Sequence, residues 1–575
     1  MAGVVIADTA LSQEQAARLL MQATFGPTLD TVNALKGRKP SAWLADQMAI
    51  APAPDYVNAV QARFDLDVSG GTYRPGNGGT NYSPNGLSQL FWNKAVNAPD
   101  QLRRRVVHAL MQIMVVSQAD SGLYDHARPF GQYLDNLGKH AFGNFRALLE
   151  DVALSPVMGM YLSHIRNQKA DPIVTSASGV TKGTGRMPDE NFAREVMQLF
   201  SIGLYQLNLD GSTKSDAAGK QIETYTNADV EGLARVFTGW SWDMADGTNA
   251  NSTFKWGGPG RYDTTGSARF DLKPMRVYPA FHETGAKTFL GITIPAGTTG
   301  ASSMRIALDT LFNHPNVGTF IGKQLIQRLV SSNPSAGYVQ YVAQKFNDNG
   351  KGVRGDMAAV ITAVLQHPEA RGEPTPEAGK LKEPVLRTTQ ALRALQATSL
   401  TGKWMINDTS LLQEPLHSPS VFNFYRPGYV PPNTDIANRA MVAPEFQIAN
   451  ESSVANWTNY VYALIQWGVG WTGTAPDILV AQHRQQDVKL DFAITTTPMA
   501  QALATSSAAV VDHINLLLFA GRMSAGLRTR ILDAMANQVS WNASTTNPAN
   551  NTRSRDRLQI AVFIALSSSE FMIER

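Results

Sequence analysis

No cysteine occurs in the chain. Disulfides, thiolate-bound metals, iron–sulfur clusters and a cysteine nucleophile are therefore excluded. The compartment stays open on this ground, because a thiol-free chain folds in reducing and oxidising surroundings alike. Charge is scarce too: 17% of residues are Asp, Glu, Lys or Arg, below the usual globular share. The 50 basic and 47 acidic residues leave a net charge of +3, with no basic field of the kind a nucleic-acid partner requires. No apolar run approaches the roughly 20 residues that span a bilayer, so no transmembrane segment is expected. The opening Met1-Ala-Gly-Val-Val-Ile lacks the basic n-region and full h-region of a signal peptide. The Gly-x-Ser-x-Gly elbow, the P-loop and a dinucleotide fingerprint between strand and helix are all missing. Neither His-x-x-x-His nor thiolate spacing is present, so no cofactor is predicted and no ligand set is assigned, a metal ion being kept as the minor alternative.

What remains is a chain of 575 residues, 43% hydrophobic, long enough to bury a large core. Its periodicity is helical over most of its length, which predicts a mainly α, multihelical fold. Ser12 and Gln15 form a capping box before Ala16, Leu19, Leu20 and Ala23 at helical spacing. A long loop is expected near Asp67 to Leu87, then a helix capped by Asp100 and running to about Ser117. That helix is apolar nearly all round, opens on Arg103-Arg104-Arg105, and carries His108 and Gln112 one turn apart as a core pair that must find partners inside. Residues 1–240 read as an N-terminal helical part, and 301–575 as a C-terminal helical part. Residues 241–300, rich in Gly, Thr and aromatics, read as an insertion of loops and β-hairpins. The three are expected to form one structural unit.

The most purposeful segment runs from Met187 to Gly203. Pro188 suits a first helical turn, Asp189 and Glu190 suit the positive end of the helix dipole, and Gly203 suits a stop. Asn191, Arg194, Glu195 and Gln198 then share a polar stripe at i, i+3, i+4 and i+7. A carboxylate among such neighbours is tuned for proton transfer, and the same stripe equally describes a structural salt-bridge network. Thr226-Asn-Ala-Asp229 caps the next helix, which ends at Thr238-Gly-Trp240. His282-Glu283 lies in the insertion, where neighbouring side chains of an extended segment diverge and would not share a metal.

Several segments together resemble one bacterial family of unknown function, DUF1800. They are Arg18 to Pro27, Asn191 to Glu195 with Leu199 to Gly203, Tyr225 to Val230 with Phe237 to Trp240, and His282 to Gly291. The likeness continues through Gln413 to Pro415, Ser420 to Tyr425, Ala443 to Ile448 and Ser569 to Phe571. The resemblance covers nearly the whole chain and implies an exported, mostly helical protein, with His-Asp in the family pattern where this chain has His282-Glu283.

The composition of the sites leads to an expected function: an exported carbohydrate-active enzyme, a glycoside hydrolase or polysaccharide lyase, whose partner is a polysaccharide or other extracellular polymer. The catalytic candidates are Glu195, Glu190, Asp189, His282 and Glu283, since glycoside cleavage needs two carboxyl groups. Asn191, Arg194, Gln198, Asp229, Trp240, Trp242, His108 and Tyr425 are the candidates for binding substrate. The alternative is a non-catalytic cell-surface binding or scaffold protein, in which the stripe holds helices in register and the aromatics anchor loops.

Overall fold

A computed structural model describes residues 6, 8–69, 84–124, 126–179, 181–244, 250–255, 270–375, 377–406, 411–471, 486–492, 497–537 and 551–575. The fold is mainly α. Strands among the described residues are two to four residues long and pair antiparallel in small sheets. Buried side chains from Leu11 to Phe571 form one continuous hydrophobic core shared by all parts of the chain, the 241–300 segment included.

At its centre are helices with hardly any exposed face. Helix α1 (Gln101–Met111) buries every residue from Gln101 to Leu110. Helix α4 (Asn316–Leu329) buries twelve of its positions, and all of helix α5 (Pro384–Ala394) is buried. Helices of this kind form because their surroundings supply the packing, and their polar side chains must find partners inside. Arg103 donates to the Gly138 carbonyl at 2.7 Å and the Ile50 carbonyl at 2.6 Å. Arg104 pairs with Asp100 at 3.1 Å and also with Asp55. The arginine run thus fastens loops and helix ends to the core.

Local differences from the sequence reading have local causes. Helix α1 stops at Met111 because Gln112 and Ile113 close tighter turns onto Ala109 and Leu110. Asp100 sits at the N-cap without capping, since Arg104 takes its carboxylate. The expected loop at 67–87 is narrower: helices occupy Asp55–Ser69 and Pro84–Asn97, and 70–83 lies outside the described residues. The 241–300 segment holds two described pairings, Trp240–Ser241 with Arg276–Val277 and Lys287–Phe289 with Ile292–Ile294. Ile573–Glu574 pairs with Lys380–Leu381, placing residues near position 574 at the N-terminal end of helix α5.

Candidate functional site

Helix α2 (Asn191–Gln198) begins later than its sequence suggests. Glu190 occupies the N-cap without a side-chain cap bond, and Pro188 and Asp189 precede the helix. Asn167 fixes that approach: it accepts from the Asp189 N–H at 2.9 Å and donates to the Asp189 carbonyl at 3.1 Å. The Asp189 carboxylate accepts from the Asn191 N–H at 2.9 Å. Arg194 pairs with Glu190 at 3.2 Å in a half-exposed ion pair, of a kind that contributes little to stability. Asn191 is exposed, and the Gln198 side-chain oxygen accepts from the Tyr225 hydroxyl at 3.0 Å.

Glu195 departs from the rest of its stripe. It is 7% exposed, and its Oε2 is buried with no hydrogen-bond partner among the described residues. Burial raises its carboxyl above the ordinary value against the opposing charge of Arg194. Two phenols share its field. Burial raises Tyr161 to about 12, with the charges of Asp120 and Glu195 adding to the effect. Burial also raises Tyr225, Arg194 working against it and Glu195 with it. Both rings are partly exposed. The result is a carboxyl biased toward its acid form, beside two hydroxyl donors and a guanidinium near solvent.

His282 sits in a separate knot. Its Nδ1 donates to the Thr238 carbonyl at 2.8 Å, which leaves Nε2 as the lone-pair nitrogen. That atom is buried and without a partner among the described residues. Burial pushes the imidazole below its usual value, against the hydrogen bond to Thr238, so the ring is neutral. Gly239 and Gly300 back it closely: a Cβ on Gly239 would lie 2.8 Å from the His282 nitrogen, and one on Gly300 3.3 Å from the ring. Glu283 is held through its backbone, donating to Thr238 Oγ1 at 2.8 Å, and its carboxylate accepts from the Gly285 N–H at 2.9 Å. The Asn167 carbonyl accepts from the Gly239 N–H at 2.7 Å. One asparagine therefore ties the approach to helix α2 to the turn that seats His282.

The remaining candidates are placed elsewhere. Asp229 is part of the cap of helix α3 (Asn227–Val236), as its sequence indicates: its oxygens take the Thr226 N–H and hydroxyl, both at 2.7 Å, and the Leu290 N–H at 2.7 Å. Trp240 and Trp242 are in the core, 5% and 0% exposed, and present no face on which a sugar could stack. Trp256 and Tyr262 lie outside the described residues. His108 and Tyr425 converge, with Gln112, on a residue the sequence reading passed over, Glu383.

Glu383 is 1% exposed and accepts four hydrogen bonds. His108 Nε2 meets its Oε1 at 2.7 Å, while Gln112 at 2.7 Å, Gln413 at 2.6 Å and the Tyr425 hydroxyl at 2.6 Å all donate to its Oε2. Burial works to raise this carboxyl, but the contact with His108, the charge of Lys380 and the Tyr425 hydroxyl outweigh it and hold it well below the carboxylate range. Lys380 pairs with Glu445 at 3.1 Å with both side chains buried. It also donates to the Arg328 carbonyl at 2.8 Å, which receives Arg105 at 2.6 Å. With four donors converging on it and both oxygens engaged, Glu383 is an internal fastening of the fold. Its signal in the sequence is Lys380-Leu-Lys-Glu-Pro384, three charges directly before a proline that opens a buried helix.

Among the described residues, no group of three or more His, Cys, Asp or Glu could hold a metal ion, and no helix is long and apolar enough to cross a membrane. A family model described as "Protein of unknown function (DUF1800)" matches residues 18–573. The chain belongs to the DUF1800 family. No curated protein and no solved structure matches it, so the chemistry of this DUF1800 protein has to be argued from its own side chains.

Proposed function

We propose that this DUF1800 protein is an exported enzyme that cleaves a polysaccharide or similar hydroxyl-rich polymer by proton transfer at Glu195. The observation that carries the reading is the buried, unpartnered Glu195 Oε2 with its raised carboxyl, beside the partly exposed Tyr161 and Tyr225. A carboxyl raised above its ordinary value holds its proton to higher pH than a free one, which suits it to donating that proton to a leaving oxygen. Arg194 and Asn191, on the same stripe, would meet substrate hydroxyls or acid groups, and Gln198 orients Tyr225 by their hydrogen bond at 3.0 Å.

The scaffold alternative has its own support, because Trp240 and Trp242 are buried and Asp229 and Glu283 already accept local hydrogen bonds. One experiment separates the two: release of reducing or unsaturated ends from a broad polysaccharide panel, wild type against Glu195→Gln, with melting temperatures measured in parallel. Activity that vanishes in a variant melting at or above wild type supports the enzyme. Silence of the wild type across the panel removes the catalytic reading.

A further inference from the structure

A cavity of about 300 Å³ lies where residues near position 574 meet helix α5 and the helix Ser507–Phe519. Its lining includes the charged Lys382, Glu574, Arg522 and Arg575 together with apolar Met21 and Phe519. This volume is at the small end for ligand sites, so it suits a small molecule and no polymer. It is independent of the Glu195 reading.

Two wall residues are unusual for a structural void. Lys382 is 3% exposed; its Nζ donates to the Gln390 side-chain oxygen at 2.7 Å and lies 4.0 Å from the centre of the Phe571 ring. Among the described residues no carboxylate is close enough to it to form an ion pair. Glu574 is 4% exposed, and its Oε1 is buried without a hydrogen-bond partner among the described residues. Lys382 and Glu574 thus share the lining of one cavity without closing an ion pair, the amine resting on Gln390 and one carboxyl oxygen without a partner among the described residues. Burial pushes the Lys382 amine below its usual value, Glu574 opposing and Arg387 assisting, and burial raises Glu574. Both shifts favour the neutral amine and the neutral acid. Arg522 has only a loose partner, Glu373 at 3.2 Å, itself 93% exposed. Glu570 is already occupied by the Ser524 N–H at 2.9 Å and hydroxyl at 2.5 Å.

We propose that this cavity binds a small oxo acid and that Lys382 condenses with its carbonyl to form an imine, with Arg522 holding the carboxylate and Glu574 moving the proton. A desolvated lysine is the usual nucleophile of this chemistry. The amine lone pair adds to the carbonyl carbon, the C=O π bond opens, and the oxygen takes a proton from Glu574. The nitrogen gives a proton to the Glu574 carboxylate, which passes it to the carbinolamine hydroxyl; the C–O bond breaks, water departs, and the nitrogen lone pair closes a protonated imine whose proton returns to Glu574. The net change is carbonyl plus amine giving imine plus water, with no redox partner required.

The test uses the full chain at neutral pH with pyruvate as probe, followed by borohydride reduction and peptide mass mapping. Lys382 is expected to carry the reduced adduct at about ten times the occupancy of exposed lysines such as Lys36, Lys351 and Lys403. With acetone, which has no carboxylate, Arg522→Gln should label as wild type does; with pyruvate its Lys382 labelling should fall about ten-fold. Absence of a Lys382 adduct in wild type, or labelling no greater than at exposed lysines, overturns the imine. Equal pyruvate labelling in wild type and Arg522→Gln overturns the oxo-acid assignment.

Discussion

Replacing Glu383 by glutamine changes one oxygen to nitrogen at the centre of the protein, and its cost can be worked from the bonds present. Three donors reach Oε2 and one, His108 Nε2, reaches Oε1. If the amide oxygen takes the three-donor position, the new NH2 faces His108 Nε2. The imidazole must then move its proton to Nδ1, a buried atom with no partner among the described residues. An unsatisfied buried donor costs about 1–3 kcal/mol, and three hydrogen bonds that lose their charge assistance lose up to about 1 kcal/mol each. Relief of the buried charge offsets part of this. The expected net loss is about 3 kcal/mol for Glu383→Gln, and on the order of 5 kcal/mol for Glu383→Ala, which leaves all four donors unanswered. Urea unfolding followed by tryptophan fluorescence would measure both. Because the folded-state carboxyl sits well below its ordinary value, its contribution is complete above the unfolded value of about 4.3 and fades as pH falls through the folded value. The gap between wild type and Glu383→Gln should therefore close in acid. A Glu383→Gln variant within about 0.5 kcal/mol of wild type at pH 7 would refute the view of Glu383 as an internal fastening.

Glu195 has the opposite sign. Its folded carboxyl is raised by burial, so wild type loses stability as pH rises from the unfolded value through the folded one; Glu195→Gln should match wild type near pH 4 and exceed it at pH 7 in thermal melts. His282 is pushed down, so its neutral folded form loses ground as pH drops below the free imidazole value; His282→Asn should flatten the decline in melting temperature on that side of neutrality. Gly239→Ala places a Cβ 2.8 Å from the His282 backbone nitrogen at a φ of +80°, and a loss of roughly 3 kcal/mol is expected in denaturant titration. Trp242→Ala should cost about 3–5 kcal/mol as a core cavity, whereas a sugar-stacking residue would leave the melt unchanged and lose only polymer binding.

The helical class was legible because periodicity reports burial along a single element: the capping boxes at Ser12 and Thr226 are where the spacing indicates. The same local information marked the polar stripe of Asn191, Arg194, Glu195 and Gln198, since residues three and four apart share a helix face. It could not show that the Glu195 carboxyl falls on the buried side of the stripe, which depends on where Tyr161 and Tyr225 arrive from distant segments. The role of Glu383 was hidden for a related reason, although the charges before Pro384 mark its place. Its partners come from positions 108, 112, 413 and 425, and only folding reveals that four donors from three stretches of chain share one acceptor. Trp240 and Trp242 misled because an aromatic beside a glycine-rich segment looks the same whether it anchors that segment or faces solvent.

The pairing of Ile573–Glu574 with Lys380–Leu381 also orders events in time. Until synthesis has passed position 574, the strand before helix α5 has no partner for its backbone, and the approach to that helix keeps an open edge. Arg18, whose side chain reaches the Gly372 and Arg575 carbonyls, waits equally long. Contacts between such remote positions are the slowest a chain can make. The N-terminal helices can therefore emerge early and begin to associate, but the approach to helix α5 closes only once the segment around position 574 has been delivered.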